Sequence, residues 1–213
     1  MHRSRSPLLI LLTVLLGGCA FIASAPPENV SLRPAPSRLP TYTVSGQTII
    51  ATPGPVSVAV QPLVPEELQQ YFRTHAAVRT RAAGVNPFQG IEEAITPFFI
   101  RIENRSKSQV AFDPGAAVLK DNGGDSARAW DVATLHETFG DKPELLQAAL
   151  KGVITSFVVI PADKSREGLL IFPTYSKEAK ALFLQLTSLY AGPAALPLIF
   201  EFTVVPEASK SKE

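Results

Sequence analysis

Cysteine and methionine are almost absent from this sequence, which contains one of each, Cys19 and Met1, among 213 residues. A chain with one cysteine cannot form an internal disulfide, so an ordinary apolar core must stabilise its folded state. Hydrophobic residues make up 46% of the chain, which is enough for a core of that kind. The scarcity of sulfur also excludes a copper site built from cysteine and methionine ligands.

Catalytic patterns are missing as well. The sequence has no Gly-x-Ser-x-Gly elbow of the kind that presents a nucleophilic serine. Among its three histidines, His136 has Asp131 and Glu137 nearby along the chain, whereas His75 follows Tyr71 by one helical turn. The first position is typical of a solvated or capping histidine, and the second of a packing histidine. We therefore expect no catalytic residue and no enzyme activity.

Metal-binding patterns are equally scarce. The sequence contains neither the His-x₃-His nor the Cys-x₂-Cys spacing that zinc sites commonly use. The stretch "DNGGD" could lend the carboxylates of Asp121 and Asp125 to calcium, but its Asn-Gly pair is a strong hairpin-turn signal. We therefore predict a turn here, and neither a metal nor a cofactor for the protein.

The N-terminus predicts export from the cytoplasm. Residues 1–18 combine a basic start containing Arg3 and Arg5, an apolar run from Leu8 to Leu16, and two glycines. This order of basic, apolar and small residues is typical of a secretory signal peptide.

The end of that segment resembles a lipobox. Leu16-Gly17-Gly18-Cys19 is similar to the processing motif of bacterial lipoproteins. The resemblance implies cleavage between Gly18 and Cys19, a diacylglycerol thioether on the Cys19 sulfur, and acylation of the new amino group. Two or three acyl chains suffice for stable membrane anchoring. Ala20 follows where an aspartate would signal inner-membrane retention, so the resemblance implies the outer membrane, facing the periplasm or, alternatively, the cell surface.

Two other outcomes are open at this terminus. An ordinary signal peptide could be cleaved near Ala23 or Ala25, which would discard Cys19. Residues 7–25 could instead stay as an uncleaved membrane span, although the central Gly-Gly-Cys makes a poor helix for that purpose.

Cleavage after residue 18 divides the chain into a linker, a domain and a tail. It leaves 195 residues with 18 basic and 19 acidic side chains, because Arg3 and Arg5 are removed. A nearly neutral chain argues against nucleic acid as a partner. Residues 19–40 carry the lipidated cysteine and are rich in proline, which predicts a semi-rigid linker. We expect one domain over residues 41–206 and a polar tail over 207–213.

Strand patterns dominate the expected domain. "TPFFIRIEN" alternates, and "QVAFD" follows it after a short polar turn, which predicts a hairpin with Val110 and Phe112 on one face. Other runs rich in β-branched and aromatic residues are "TVSGQTII", "VSVAVQPL", "VITSFVVI", "GLLIF", "LFLQLTSLY" and "PLIFEFTVV". About eight strands separated by turn signals predict an antiparallel sandwich or barrel.

Two helices are predicted within the β pattern. "VPEELQQYFRTHAAVRTRAAG" places Pro65 at an early helical position, which its fixed φ favours. In "DKPELLQAALKG" we expect Asp141 to cap the helix, Glu144 to complete a capping box and Gly152 to adopt the left-handed terminal conformation. The second helix is expected to connect the two halves of the β core.

Residues 96–205 resemble the domain of a loose group of bacterial surface lipoproteins. The matching residues are Ile102-Glu103-Asn104, 110–114 and Leu119-Lys120-Asp121. "VIPADKSREGLLIFP" is similar to a later element of these domains, with Asp163 where a glycine is expected. The resemblance implies a mainly β, immunoglobulin-like antiparallel β-sandwich with one or two short helices packed on it, and it implies no particular activity.

Two features are candidates for contact with a partner. Arg73, Arg79 and Arg81 form a basic cluster with His75 that could touch anionic lipid headgroups, although such a helix face is usually solvated. Phe88 lies in a loop, where a large apolar residue either anchors a partner or packs into the core, and we favour the core.

These patterns predict a membrane-anchored, non-catalytic interaction or assembly module of the cell envelope, whose partner is another envelope protein. The alternative is a periplasmic binding protein for a small molecule, lipid or glycan. A flat apolar surface near Phe88 or Phe99 would favour the first function, and a deep apolar cavity would favour the second.

Overall fold

The computed structural model describes residues 30–35, 39–75 and 85–206. The predicted signal peptide with its cleavage site at Gly18 and Cys19 lies outside the described residues, and so do Arg79, Arg81 and the tail 207–213. Within the described part of the chain, no helix combines the length and apolar character needed to cross a bilayer.

The described residues form fourteen strands and three α-helices. The strands are β1 (Val30–Pro34), β2 (Tyr42–Ser45), β3 (Thr48–Ala51), β4 (Val56–Pro62), β5 (Ile95–Asn104), β6 (Val110–Phe112), β7 (Ala117–Asp121), β8 (Ser126–Arg128), β9 (Val158–Ile160), β10 (Lys164–Pro173), β11 (Ala181–Leu186), β12 (Leu189–Ala191), β13 (Ala194–Ala195) and β14 (Leu198–Pro206). The helices are α1 (Pro65–Thr74), α2 (Val132–Phe139) and α3 (Pro143–Gly152), and short 3₁₀ helices cover Glu92–Ala94 and Pro114–Ala116.

The strands pair into three antiparallel sheets. Sheet A has the order β1-β14-β11-β7-β8, sheet B the order β10-β5-β4-β3-β2, and sheet C the order β13-β12-β6-β9. The main core joins all three sheets, because alternate residues of their strands point into one shared apolar cluster. Phe98 of β5 and Phe202 of β14, whose ring centroids lie 5.2 Å apart, connect sheet B with sheet A.

The helices cover the other face of sheet B. Leu169 and Ile171 of β10 pack in a second apolar cluster with Phe72 of α1, Phe139 of α2 and Ala149 of α3. The alternate residues of β10 belong to the main core, so this strand is buried on both faces and consists of a continuous apolar run. The molecule thus has a sandwich with a helical layer on one side.

This arrangement confirms the predicted fold class, a mainly β antiparallel sandwich with short helices packed on it. Three helices are present in the described residues, where one or two were expected. The additional helix is α2, which begins after Asp131 because that side chain accepts a hydrogen bond from the Thr134 N–H at 2.8 Å.

The predicted hairpin of "TPFFIRIEN" with "QVAFD" is wrong. The first run, β5, pairs with β4 and β10, whereas the second, β6, pairs with β12 and β9 in another sheet. The buried side chain of Asn104, at the end of β5, supports the separation. Its Nδ2 lies 2.8 Å from the carbonyl oxygen of Ser108 and 3.0 Å from those of Ile160 and Pro161. Asn104 therefore links the turn after β5 to the end of β9. The strand that follows the turn, β6, does not pair with β5.

Two further strand predictions change in extent. Only Val158–Ile160 of "VITSFVVI" forms a strand, and "LFLQLTSLY" divides into β11 in sheet A and β12 in sheet C. The break follows Leu186, where the Thr187 hydroxyl donates to the carbonyl of Ala116 at 3.2 Å. A continuous apolar run therefore supplies two sheets.

The predicted ends of α3 are also wrong. Lys142, not Asp141, is the N-cap residue, and it makes no side-chain capping bond. Gly152 is the last helical residue and does not have a positive φ. Its lack of a side chain has a packing reason, because a Cβ there would lie 2.8 Å from Cε1 of Phe72.

The predicted linker over residues 19–40 is too long. Residues Val30–Pro34 form β1, which pairs antiparallel with β14 at the edge of sheet A. An edge strand tolerates Pro34 because the missing N–H is not needed on the open side. The domain therefore begins at or before Val30, not at residue 41.

Candidate functional site

A cleft of ≈ 290 Å³ lies beside β1. Val30, Ser31 and Leu32 form one side of it. Consecutive side chains of a strand point to opposite faces, so three consecutive lining residues mean that the edge of β1 borders the cleft. The remaining lining comes from the segment 62–66, the 3₁₀ helix Glu92–Ala94, the start of β5 and the residues after β10. The cleft thus joins sheet A, sheet B and the first turn of α1.

The charged residues among the described lining of this cleft are all acidic. Of the sixteen described lining residues, Glu66, Glu92 and Glu93 carry charge, and none is lysine, arginine or histidine. Glu66 and Glu93 are exposed, and neither makes a hydrogen bond or ion pair with another described residue. Glu92 is half-buried and accepts a hydrogen bond from the Gly90 N–H at 2.6 Å. The cleft therefore presents two carboxylates that have no partner in the described part of the chain, beside an apolar surface.

Tyr175 adds a hydroxyl group to the lining. Its side chain is half-buried against the main core, and burial raises the pKa of Tyr175 to about 12. The hydroxyl therefore stays protonated at neutral pH and remains a hydrogen-bond donor. Thr96, also in the lining, already donates its hydroxyl to the Pro173 carbonyl at 3.2 Å.

A second surface lies on the outer face of sheet C. Tyr190 of β12 is opposite Ala195 of β13 on one side and Ala111 of β6 on the other, and Ala111 is opposite Val159 of β9. We call these four residues the outer row. The Tyr190 and Val159 side chains are exposed, at 39% and 46%, and the neighbouring Phe157 is 60% exposed.

The outer row is apolar where a solvated sheet face is normally polar. The opposite face of sheet C is accounted for, because Val110, Phe112, Ile160 and Leu189 all lie in the main core. The outer row is thus a cross-strand apolar strip spanning all four strands of the sheet, and it ends at the edge strand β9. Because large exposed apolar patches commonly serve as interaction sites, the outer row is a candidate for one.

Phe88 is not part of either surface. Its side chain is 0% exposed and packs with Phe72, Trp130 and Phe139, at ring-centroid distances of 5.9, 6.2 and 5.7 Å. The core alternative weighed for this residue is the one observed, and Phe88 is removed from the candidate interaction residues. Phe99 is half-buried and packs against Tyr71, so the described residues form no flat apolar surface around either phenylalanine.

The basic cluster is seen only in part. Arg73 is exposed in the last turn of α1 and forms no ion pair within the described residues. Arg79 and Arg81 lie outside them. His75, the fourth member, is half-buried: its ring centroid lies 4.6 Å from that of Tyr71, and its Nε2 lies 3.0 Å from Oε1 of Glu167. His75 is therefore a packing residue, as expected from its position.

The other polar candidates have structural partners. Asp131 caps α2 and contacts Thr134, and His136 is exposed on the same helix. In "DNGGD", Oδ1 of Asp121 accepts hydrogen bonds from the N–H groups of Gly123 and Asp125 at 2.8 and 3.0 Å. This confirms the predicted turn between β7 and β8. No group of three possible metal ligands forms among the described residues.

Sequence reasoning missed both surfaces. A signal for the outer row was present in "SLYAGPAALP", where Tyr190 alternates with the core residue Leu189 and no charged residue follows. Nothing local connects that stretch with Ala111 or Val159. The cleft had no comparable signal, because its three acidic residues belong to two separate segments of the chain.

The fold and these surfaces define a mainly β sandwich domain with a helical layer. No protein-family model and no curated protein matches the chain. Among solved structures, that of the yjhA protein from Bacillus subtilis is similar with a TM-score of 0.34 and 9% sequence identity, over 76% of this chain and 95% of that one. A likeness of this size carries no argument about fold or function.

Proposed function

We propose that this protein is a lipid-anchored, non-catalytic interaction module of the bacterial cell envelope, attached through Cys19 to the periplasmic face of the outer membrane. Its partner is another envelope protein, which binds the outer row. The observation that carries the proposal is the apolar strip of Ala195, Tyr190, Ala111 and Val159 across the whole of sheet C. The lipobox resemblance supplies the location.

The strip suits a protein partner better than a small molecule. It is a sheet surface and not a cavity, and it combines a large amphipathic tyrosine with small neighbours, as interface centres commonly do. The alternative, a periplasmic binding protein, would use the cleft beside β1. At ≈ 290 Å³ that cleft lies just below the range typical of ligand pockets, and its carboxylates would repel anionic lipids.

The interaction is tested by photocrosslinking in the native envelope. A benzophenone amino acid replaces Tyr190 in the full-length, tagged protein, and a matched control places it at Glu201, which is exposed on β14. We expect a distinct protein adduct from position 190 and none from position 201. Tyr190→Lys and Val159→Lys, which charge the strip without disturbing the core, are expected to abolish co-purification of the same partner. Identical adducts from both positions would refute the proposal.

The anchor is tested separately. Labelling cells with an alkyne analogue of palmitate should mark the wild-type protein and leave Cys19→Ala unlabelled. Density-gradient fractionation should place the labelled protein with outer membranes, and protease digestion of intact cells and spheroplasts reports which side it faces. Label retained by Cys19→Ala would remove the lipoprotein assignment, whatever the crosslinking shows.

A further inference from the structure

We propose that the cleft beside β1 is a second binding site, which takes an extended cationic segment of a partner protein by strand addition. The segment pairs with the open edge of β1, and its alternate lysine or arginine side chains meet Glu66 and Glu93. This inference rests on the proposed interaction function and names the chemistry of a partner at a different surface from the outer row.

On its cleft side, the backbone of β1 has no partner among residues 30–35, 39–75 and 85–206. β1 pairs only with β14 within the described residues, and the further bond of Ala35 N–H to the Glu201 carbonyl runs in the same direction. In an antiparallel pair, alternate residues direct their N–H and C=O groups away from the partner strand. These groups of β1 therefore form an edge to which no described residue is bonded, and an open edge is a template for an added strand.

Proteins usually protect an open edge with proline, charge or an overlying element. Pro34 protects the far end of β1, and the exposed Arg33 adds charge next to it. Val30, Ser31 and Leu32, which border the cleft, are neither proline nor charged. The unprotected part of the edge and the cleft thus coincide.

Charge selects the occupant. The full sequence is nearly balanced, with 20 basic and 19 acidic residues, yet the charged residues in the described lining of the cleft are all acidic. Glu66 stands in the first turn of α1, where it also favours the helix dipole, but its carboxylate has no cationic neighbour within the described residues. A segment with alternating basic and apolar residues would complement both the carboxylates and the apolar lining.

The chain's own segments are the competing occupants. Val30 and Pro206 are paired at the end of sheet A, so the segments before 30 and after 206 are joined to the domain at neighbouring points. The tail "EASKSKE" is formally neutral, with two lysines and two glutamates. Its lack of net positive charge makes it a poorer complement than a basic partner segment, and the experiment below distinguishes the two.

Three fluorescently labelled hexapeptides are titrated with the mature full chain, and fluorescence anisotropy measures their binding. The first alternates lysine and valine, the second alternates glutamate and valine, and the third is the lysine–valine peptide with methylated backbone nitrogens at alternate positions. We expect only the first to bind, because the second is repelled and the third cannot donate to the edge of β1. Equal binding of the methylated probe would overturn strand addition, and equal binding of the glutamate probe would overturn charge selection.

Matched variants connect the binding with the cleft. Glu66→Gln/Glu93→Gln should weaken the lysine–valine probe about tenfold, since exposed ion pairs contribute up to about fivefold each. Glu137→Gln/Glu144→Gln removes two exposed carboxylates elsewhere, one of them in the first turn of α3, and should change binding less than twofold. Unchanged affinity in the first variant would refute the site.

A photoreactive side chain at Ser31 separates the remaining outcomes. An adduct within the chain, to residues before 30 or after 206, would show that its own segment occupies the cleft and would overturn the proposal. An adduct to a basic segment of an envelope protein would support it. Loss of this adduct with the Tyr190 adduct intact would refute the cleft inference alone, whereas the reverse pattern would refute the proposed use of the outer row alone.

Discussion

His75 Nε2 lies 3.0 Å from Oε1 of Glu167, joining the end of α1 to strand β10 across the surface of sheet B. The imidazole also stacks on Tyr71 at a ring-centroid distance of 4.6 Å, and its Nδ1 is buried without a partner among the described residues. Burial, followed by the charge of Glu167, raises the pKa of Tyr71 well above its usual range. Tyr71 therefore remains a donor, and its hydroxyl bonds the carbonyl of Gly152 at 3.2 Å.

The first prediction concerns this contact. His75→Ala should lower the free energy of unfolding by about 1–3 kcal/mol, because it removes both the ring packing and the bond to Glu167. Glu167→Gln, which keeps an acceptor oxygen for an imidazole N–H, should cost less than His75→Ala. Urea denaturation of both variants measures the difference. A larger loss in Glu167→Gln would mean that charge, and not packing, dominates.

The second prediction concerns Gly152. Gly152→Ala should destabilise the protein by about 1–3 kcal/mol, despite the higher helix propensity of alanine, because its Cβ would lie 2.8 Å from Cε1 of Phe72. Gln147→Ala, at an exposed position of the same helix, is the matched control and should be nearly neutral. Combining Gly152→Ala with Phe72→Leu should cost less than the two changes added together. Strict additivity would locate the strain elsewhere.

The third prediction concerns Asp163, which stands where the family resemblance calls for glycine. Its φ of 57° is positive, and it is the only described residue other than glycine with such a value. Left-handed backbone costs a residue with a Cβ about 1–2 kcal/mol, although aspartate tolerates it better than most. Asp163→Gly should therefore stabilise the protein by about 0.5–1 kcal/mol in thermal or urea unfolding. Asp163→Val, which is β-branched, should be clearly destabilising.

The fourth prediction concerns the pH dependence of the α2 cap. The backbone N–H of Thr134, followed by its hydroxyl, holds the pKa of Asp131 below its usual value. A carboxyl with a lowered folded-state pKa stabilises the fold above its unfolded pKa and loses that contribution as the pH falls below about 4. Asp131→Asn keeps a capping oxygen and should remove this acid dependence. Asp131→Ala should be less stable than Asp131→Asn at pH 7, and identical pH profiles for wild type and Asp131→Asn would contradict the assignment.

Local pattern predicted most strands, because alternation reports burial within a few residues. In β14, Leu198, Phe200 and Phe202 are buried while Glu201 is exposed, as the alternation of "PLIFEFTVV" requires. The wrong predictions concern short sequence patterns that are compatible with more than one local structure. Asp141 and Glu144 have capping spacing, yet α3 begins one residue later than that spacing assumes, and the proline-rich segment that reads as linker contains the edge strand β1.

The sequence by itself determined the period of each strand, the apolar supply of the core, the turn at Asp121 and the expectation of a lipid anchor at Cys19. Only the tertiary structure decided which strands are neighbours, because pairing depends on the combined burial of all the elements and not on any one segment. Val159 and Tyr190 share one face of sheet C only because β6 separates β9 from β12. The burial of Phe88 and the cleft beside β1 have the same cause. Each depends on chain segments that are far apart in sequence and meet only in the folded protein.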